Sequence, residues 1–88
     1  MMTEGEKLLA ECGFTLFKER HEDKHDVFNY RHFNEFVSFS RRYDDYYDAV
    51  ALEDYDDDHY IPLVCSENLI EAIGARMREL NTEVQNET

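Results

Sequence analysis

The start of the chain has the pattern of a capped amphipathic helix. Thr3 and Glu6 have the spacing of a capping box, in which each side chain accepts a hydrogen bond from the other residue's backbone N–H. Gly13 directly follows the apolar positions of this segment, and a glycine there is typical of a left-handed helix cap. The sequence therefore predicts a first helix over residues 4–12. Its apolar face consists of Leu8, Leu9 and Cys12.

A second amphipathic helix is predicted near the end of the chain. Ser66 is a favourable N-cap, and Glu67 places negative charge in the first turn, where the helix dipole favours it. Apolar residues then recur at steps of three and four through about residue 80. They are Leu69, Ile70, Ile73, Met77 and Leu80. We expect residues 82–88 to form a flexible tail.

Between the helices, apolar and polar residues alternate with the period of β-strands. We predict strands over residues 14–20, 27–33, 36–42 and 46–52, separated by turns at 21–26, 34–35 and 44–45. In the third strand, Val37 and Phe39 are expected to face the core while Ser38 and Ser40 face outward. The fourth strand has apolar residues at both odd and even positions, so the sequence does not show which of its faces is buried. The acidic residues 54–58 are predicted to be a solvated loop.

This order of elements predicts a single α+β domain over residues 1–81. It has two layers: an antiparallel three- or four-stranded meander, and an N-terminal and a C-terminal helix on one of its faces. The other face of the sheet is expected to be exposed to solvent. The predicted core consists of Leu8, Leu9, Phe14, Leu16, Phe28, Tyr30, Val37, Phe39, Leu69, Ile73, Met77 and Leu80.

Composition and charge narrow the classes of function. The chain has 88 residues, is 42% hydrophobic and 14% aromatic, and carries a formal net charge of −12. The aromatic content indicates a folded domain. The charge argues against direct binding to nucleic acid or to anionic membranes. No apolar run is long enough to span a membrane and no secretory pattern opens the chain, so we expect a cytoplasmic protein.

Residues 21–25 satisfy the H-E-x-x-H pattern of zinc peptidases. That chemistry needs His21, Glu22 and His25 on a buried helix, whereas the segment is charged and lies between two strand patterns. A hairpin turn without structural metal is the favoured interpretation. A metal-dependent hydrolase stays the third and least favoured function, and adventitious metal capture by the two histidines is an open alternative.

Other candidate chemistry is also incomplete. Asp54, Asp56 and Asp58 match the opening of a calcium loop, but His59 replaces the glycine that the loop requires. Loose Ca²⁺ or Mg²⁺ binding is left as an alternative. Cys12 and Cys65 lie beside apolar residues and are expected to be reduced, packed thiols. We therefore expect no cofactor, no metal, no catalytic residue and no enzymatic activity.

The stretch from residue 41 to 60 is the most distinctive feature, because it contains eight carboxylates and five tyrosines. Carboxylates along a strand recur every ~6.6–6.8 Å, close to two base-pair steps, and exposed tyrosines add contact area for arginines. We predict a DNA-mimic-like surface that binds a basic, nucleic-acid-handling protein. Acidity that serves solubility alone is the runner-up. The predicted partner-binding residues are Asp44, Tyr46, Tyr47, Asp48, Asp54, Tyr55, Asp56, Asp57 and Asp58.

In layout, residues 6–80 resemble a group of small α-β-β-β-α proteins of unknown function encoded by phages and mobile elements of low-GC Gram-positive bacteria. The resemblance is carried by Gly13 and Phe14, by residues 36–39 and 46–49 of the meander, and by residues 69–73 of the closing helix. It implies a modulator that binds and blocks a larger host protein, as anti-CRISPR proteins do. It implies no catalytic residue, and a phage-encoded member would act in the host cytosol.

Overall fold

The computed structural model describes residues 1–43, 45–56 and 59–86, and shows an α+β fold. Its strands form one antiparallel sheet in the order β1-β2-β3-β4-β5, joined as a meander. The predicted fold class is confirmed, with five strands where three or four were expected. The elements are α1 (Glu4–Glu11), β1 (Thr15–Glu22), β2 (His25–His32), β3 (Glu35–Arg42), β4 (Asp48–Asp56), β5 (His59–Pro62) and α2 (Glu67–Asn86).

The additional strand, β5, directly follows the segment that was predicted to be an acidic loop, and β4 extends into that segment. Asp54 and Asp56 belong to β4, and Asp54 pairs with Tyr60 of β5 across a register shift. The loop prediction was wrong there because charge density was used as the argument against a strand. Asp56 is exposed at the end of β4, so its carboxylate stays in water while its backbone pairs with His59, and its charge does not oppose strand formation. Asp57 and Asp58 lie outside the described residues.

The predicted caps of α1 are confirmed. The Thr3 hydroxyl accepts a hydrogen bond from the Glu6 N–H at 3.2 Å, and the Glu6 carboxylate accepts one from the Thr3 N–H at 3.1 Å. Gly13 has φ of 91°, the left-handed conformation expected at the helix end. A Cβ at this glycine would also lie 2.6 Å from Cδ2 of His32, so both conformation and space require glycine.

Helix α2 begins as predicted and extends further than predicted. The Ser66 hydroxyl accepts a hydrogen bond from the Leu69 N–H at 3.2 Å. The helix continues to Asn86, so residues 82–86, which were predicted to belong to a flexible tail, are helical. Val84 lies one turn beyond Leu80 and is buried in the same core, which stabilises this last part of the helix. Glu87 and Thr88 lie outside the described residues.

Both helices pack against one face of the sheet, and the core lies between the two layers. Leu9 of α1 and Leu80 of α2 are fully buried against Val37 and Phe39 of β3. Leu16 was predicted to be buried but is 47% exposed, because β1 is an edge strand beyond the cover of the helices. Four other predicted core residues are only partly buried: Leu8, Phe28, Ile73 and Met77. The prediction missed Tyr47, Ala72 and Val84, which are buried in this core, and Val27, which is buried outside it.

A buried arginine ties the helices to the sheet. The Arg76 guanidinium donates to the Tyr30 hydroxyl at 3.0 Å and to the Glu79 carboxylate at 3.3 Å, and it lies over the Phe28 ring. Glu79 in turn accepts a hydrogen bond from the Gly5 N–H at 2.8 Å, at the N-terminus of α1. This network satisfies a buried charge and fixes the position of α1 on α2.

The opposite side of the sheet has no helix on it in the described part of the chain. Phe28 and Tyr30 face the core together with their cross-strand partners, and side chains alternate along a strand, so the residues between them lie on the far side. We call this side the open face. It carries Phe17, Lys18, Arg20, Glu22, His25, Val27, Asn29, Arg31, Phe36, Ser38, Ser40, Arg42, Asp48, Val50, Leu52, Asp54 and Tyr60.

Candidate functional site

One predicted surface residue belongs to the core. Tyr47 is 7% exposed, packs against Phe28 with ring centroids 6.0 Å apart, and lies under the Arg41 guanidinium. Its backbone N–H donates to the Asn81 side chain of α2 at 2.7 Å. The sequence pattern around Tyr47 was ambiguous between two faces, and the helix contact decides it. Tyr47 therefore anchors the start of β4 and does not belong to the partner-binding surface.

The chain that leads into β4 carries the first group of exposed acidic and aromatic residues. Asp45, Tyr46 and Asp48 are all exposed, and Tyr46 is 52% accessible. The Asp45 carboxylate accepts a hydrogen bond from the Tyr46 N–H at 2.8 Å, which orders the turn locally. We call these three residues the entry cluster. Asp44 was predicted to belong here and lies outside the described residues.

The second group lies at the far end of β4. Tyr55 falls at the register shift between β4 and β5 and is 73% exposed, and Asp56 beside it is exposed. Asp54 is half-buried, and its Oδ1 atom is fully enclosed without a hydrogen-bond partner among the described residues. Its backbone N–H and C=O are held by Asn34. We call Tyr55 and Asp56 the exit cluster, and Asp54 supports its backbone.

The two clusters do not join into one row of carboxylates. Asp48 and Asp54 share the open face of β4, with Val50 and Leu52 between them. At ~3.4 Å per residue the two carboxylates stand roughly 20 Å apart along the strand. The spacing of about 6.8 Å that would imitate successive phosphates is therefore interrupted on this strand by apolar side chains.

The H-E-x-x-H segment forms a hairpin, as predicted. Its two-residue turn is at 23–24, and His21 pairs with Asp26 while Glu22 pairs with His25. His21 is therefore on the helix side of the sheet and His25 on the open face, so the two imidazoles cannot meet at one metal ion. The described residues contain no group of three or more histidine, cysteine or acidic side chains with metal-binding geometry.

A small ionic cluster lies beside this hairpin. The Asp26 carboxylate accepts hydrogen bonds from His21 at 2.6 Å and from Arg41 at 2.7 Å. The hydrogen bond to Asp26 raises the pKa of His21 above its ordinary value. Burial acts to raise the pKa of Asp26, but the bonds from His21 and Arg41 outweigh it and lower that pKa. The cluster stabilises the β1–β2 hairpin and presents no nucleophile.

Neither cysteine is activated. Cys12 and Cys65 are both free and partly buried, and burial raises the pKa of each thiol above its ordinary value. A raised pKa leaves less thiolate at neutral pH, the opposite of what a nucleophilic cysteine requires.

The cavity beside the ionic cluster, lined by His21, Asp26 and Arg41 among others, has a volume of about 220 Å³, which is small for a substrate pocket.

Sequence reasoning missed an aromatic and cationic group on the open face. The Arg31 guanidinium lies between two rings, 5.3 Å from the centroid of Phe17 and 5.5 Å from that of Phe36. The Phe36 ring then meets Tyr60 of β5 edge-on at 6.2 Å. Strand parity would have placed Arg31 and Phe36 on one face, but Phe17 joins them only through the irregular register of β1.

Comparisons with known proteins add no family to this picture. No family model matches the chain, and no curated protein or solved structure matches it either. Within the described residues, neither helix combines the length and apolar character needed to cross a lipid bilayer. Function must therefore be inferred from the surface of this molecule.

Proposed function

We propose that this protein is a non-enzymatic binding module whose entry and exit clusters hold a basic surface of a larger cytosolic protein. The observation that carries the proposal is the placement of exposed Tyr46 and Tyr55 beside exposed carboxylates at both ends of one rigid strand. Tyrosine is enriched at protein interfaces, because it provides large contact area with little loss of side-chain entropy. Arginines of a partner would meet both a carboxylate and an aromatic ring.

The partner class follows from the charge. A net charge of −12 steers the molecule toward cationic surfaces, and proteins that handle nucleic acids are the ones that expose extended basic surfaces. The protein would then act as a competitor of nucleic acid, a DNA mimic in charge but without the regular spacing of phosphates. An inhibitor of this kind encoded by a phage or mobile element, with an anti-CRISPR-like role, fits both the chemistry and the layout resemblance.

A neutralising variant tests the proposal. We expect the triple substitution Asp45→Asn, Asp48→Asn and Asp56→Asn to weaken capture of basic host proteins and to reduce the salt dependence of that binding. The additional change Tyr55→Ala should weaken binding further without altering the salt dependence. Partners recovered from host lysate are then purified, and their affinity is measured by titration at several salt concentrations, with a DNA duplex as competitor.

A matched control removes the same charge from the helices. The substitutions Glu4→Gln, Glu11→Gln and Glu71→Gln lie at exposed helical positions outside both clusters. This control should bind the same partner with nearly unchanged affinity. If the strand variant and the helix variant behave alike, or if DNA does not compete, the acidity serves solubility only and the proposal is wrong.

A further inference from the structure

The open face divides into halves of opposite charge. Lys18, Arg20 and Arg31 lie on β1 and β2, whereas Asp48 and Asp54 lie on β4. The chain as a whole has a net charge of −12, so this concentration of cations on one half of one face departs from the rest of the surface. Apart from Glu22 on β1 and Arg42 on β3, which lie in one row at the end of the face beside the β1–β2 turn, charge on the open face is segregated by strand.

Apolar side chains occupy the middle of the same face. Phe36 on β3 pairs across the sheet with Leu52 on β4, and Val50 beside them is 48% exposed. Phe17 at the β1 side is 57% exposed and Tyr60 at the β5 side is 55% exposed. Contiguous exposed apolar surface of this kind, bordered by charges, is typical of an interface.

We propose that the open face binds a second copy of this chain, forming a symmetric sheet-on-sheet dimer. Nucleic acid would use only the basic half of the face and would be repelled by Asp48 and Asp54. A basic protein would use only the acidic half. A second copy is the occupant that matches the basic half, the acidic half and the apolar middle at once, because a two-fold interface brings each half onto the other.

Charge selects the direction of the two-fold axis. An axis parallel to the strands and centred on β3 places β2 of one copy over β4 of its partner. This rotation keeps the position along the strands, so Arg31 lies over Leu52 of the partner subunit, one same-face step (~6.8 Å) from Asp54 of the partner subunit. Arg20 is level with Asp48 of the partner subunit and one strand (~4.8 Å) to its side. An axis perpendicular to the strands would instead lay β1 over β1, which opposes like charges. The central Phe36 residues of the two copies meet near the favoured axis.

The size of the face is sufficient for such a dimer. Five strands at ~4.8 Å spacing and up to eight residues at ~3.4 Å give about 600 Å² per copy once the short β5 is allowed for. Both copies together would bury about 1,200 Å², the lower end of the range for specific interfaces. In the dimer, the acidic helices of each copy lie about 10 Å behind its sheet, on the side away from the partner. The repulsion between the helices of the two copies is therefore largely screened at physiological ionic strength.

Charge reversal at one pair provides the test, read by sedimentation velocity over a range of concentrations. The parent protein should show a reversible monomer–dimer equilibrium. Arg20→Glu alone and Asp48→Arg alone should each weaken self-association by about tenfold or more, because symmetry places the reversed charge opposite a like charge twice. Mixing the two single variants should restore a dimer, since each copy then offers the charge that its partner lacks.

Two controls keep the interpretation specific. Glu71→Lys changes charge on the exposed surface of α2 and should leave the dimer constant unchanged. Circular dichroism should show that all variants melt near the parent, as expected for exposed positions. Self-association can also be distinguished from partner binding, because Asp56→Asn should alter the affinity for the partner without altering the dimer constant.

Several outcomes would overturn the dimer. A parent protein that stays monomeric at its highest soluble concentration would do so, as would single variants that associate like the parent or a mixture that fails to recover. A monomer that binds a labelled single-stranded oligonucleotide through Arg20 and Arg31 would assign the basic half to nucleic acid instead.

Discussion

Substituting Gly5 by alanine should destabilise the protein, although the same change in a free helix would stabilise it. A Cβ built at Gly5 would lie 2.7 Å from both Cα and N of Arg76 and 2.7 Å from a carboxylate oxygen of Glu79. Two of these three atoms belong to the backbone and cannot rotate away. To reach ordinary contact, α1 must shift by about 1 Å relative to α2.

The magnitude follows from what that shift disturbs. The hydrogen bond from the Gly5 N–H to Glu79, 2.8 Å in the parent, would lengthen beyond useful range. Overpacking costs about 1–3 kcal/mol and a lost charge-assisted hydrogen bond about 1.5–3 kcal/mol. The gain in helix propensity on replacing glycine offsets up to ~1 kcal/mol. We expect a net loss of about 3 kcal/mol, which lowers Tm by about 12–24 °C in a domain of this size.

Gly74 offers a matched control within the other helix. A Cβ there would meet only the mobile end of the Arg78 side chain, at 3.3 Å. Gly74→Ala should therefore raise stability by about 0.5–1 kcal/mol. Thermal melts followed by circular dichroism, with urea titrations for the free energy, would measure both. The close helix contact would be refuted if the two alanine variants shifted Tm in the same upward direction.

Three further predictions follow from the network, the core and the hairpin. The pKa of Glu79 is lowered because its hydrogen bonds to Thr3, Gly5 and Arg76 outweigh the effect of burial. Its carboxylate therefore stabilises the fold above the pKa of the unfolded state, and this stabilisation is lost as pH falls through the pKa of the folded state. Glu79→Gln should thus cost about 1 kcal/mol at neutral pH, and urea titrations should show the gap to the parent closing on acidification; a constant gap contradicts the assignment. Leu80→Ala should cost about 2–5 kcal/mol in urea unfolding, whereas Ile70→Ala at an exposed position should cost under ~1 kcal/mol. Zinc titration followed by calorimetry should show no tight stoichiometric uptake, and uptake that is lost in His25→Ala would contradict the hairpin geometry.

The sequence predicted most of the fold because its local signals agree with each other. The capping box at Thr3, the glycine at Gly13 and the N-cap at Ser66 each set a boundary by a short-range hydrogen bond or backbone conformation. Strand parity likewise placed Val37 and Phe39 in the core. Such signals depend on few neighbours, so they can be recognised without tertiary information.

The candidate site could not be predicted as well, because its placement depends on distant contacts. Tyr47 is turned inward by Asn81 of α2, a residue 34 positions away in the chain. The strand character of Asp54 depends on pairing with Tyr60, and charge density pointed the other way. The basic half of the open face appears only when β1 and β2 are laid side by side. Each of these features depends on how distant segments pair and pack, and a stretch of sequence considered alone does not specify that pairing.

The contact between Glu79 and Gly5 joins residues 74 positions apart, and this separation has a consequence for synthesis on the ribosome. Helix α2 is translated after all five strands, so the meander can pair strand by strand while its apolar side lacks half of its cover. Helix α1 cannot adopt its final position until Arg76 and Glu79 have left the ribosome. A nascent chain stalled before residue 76 should therefore expose Val37 and Phe39 and recruit chaperones, whereas a chain stalled after α2 has left the ribosome would close the domain in one late step.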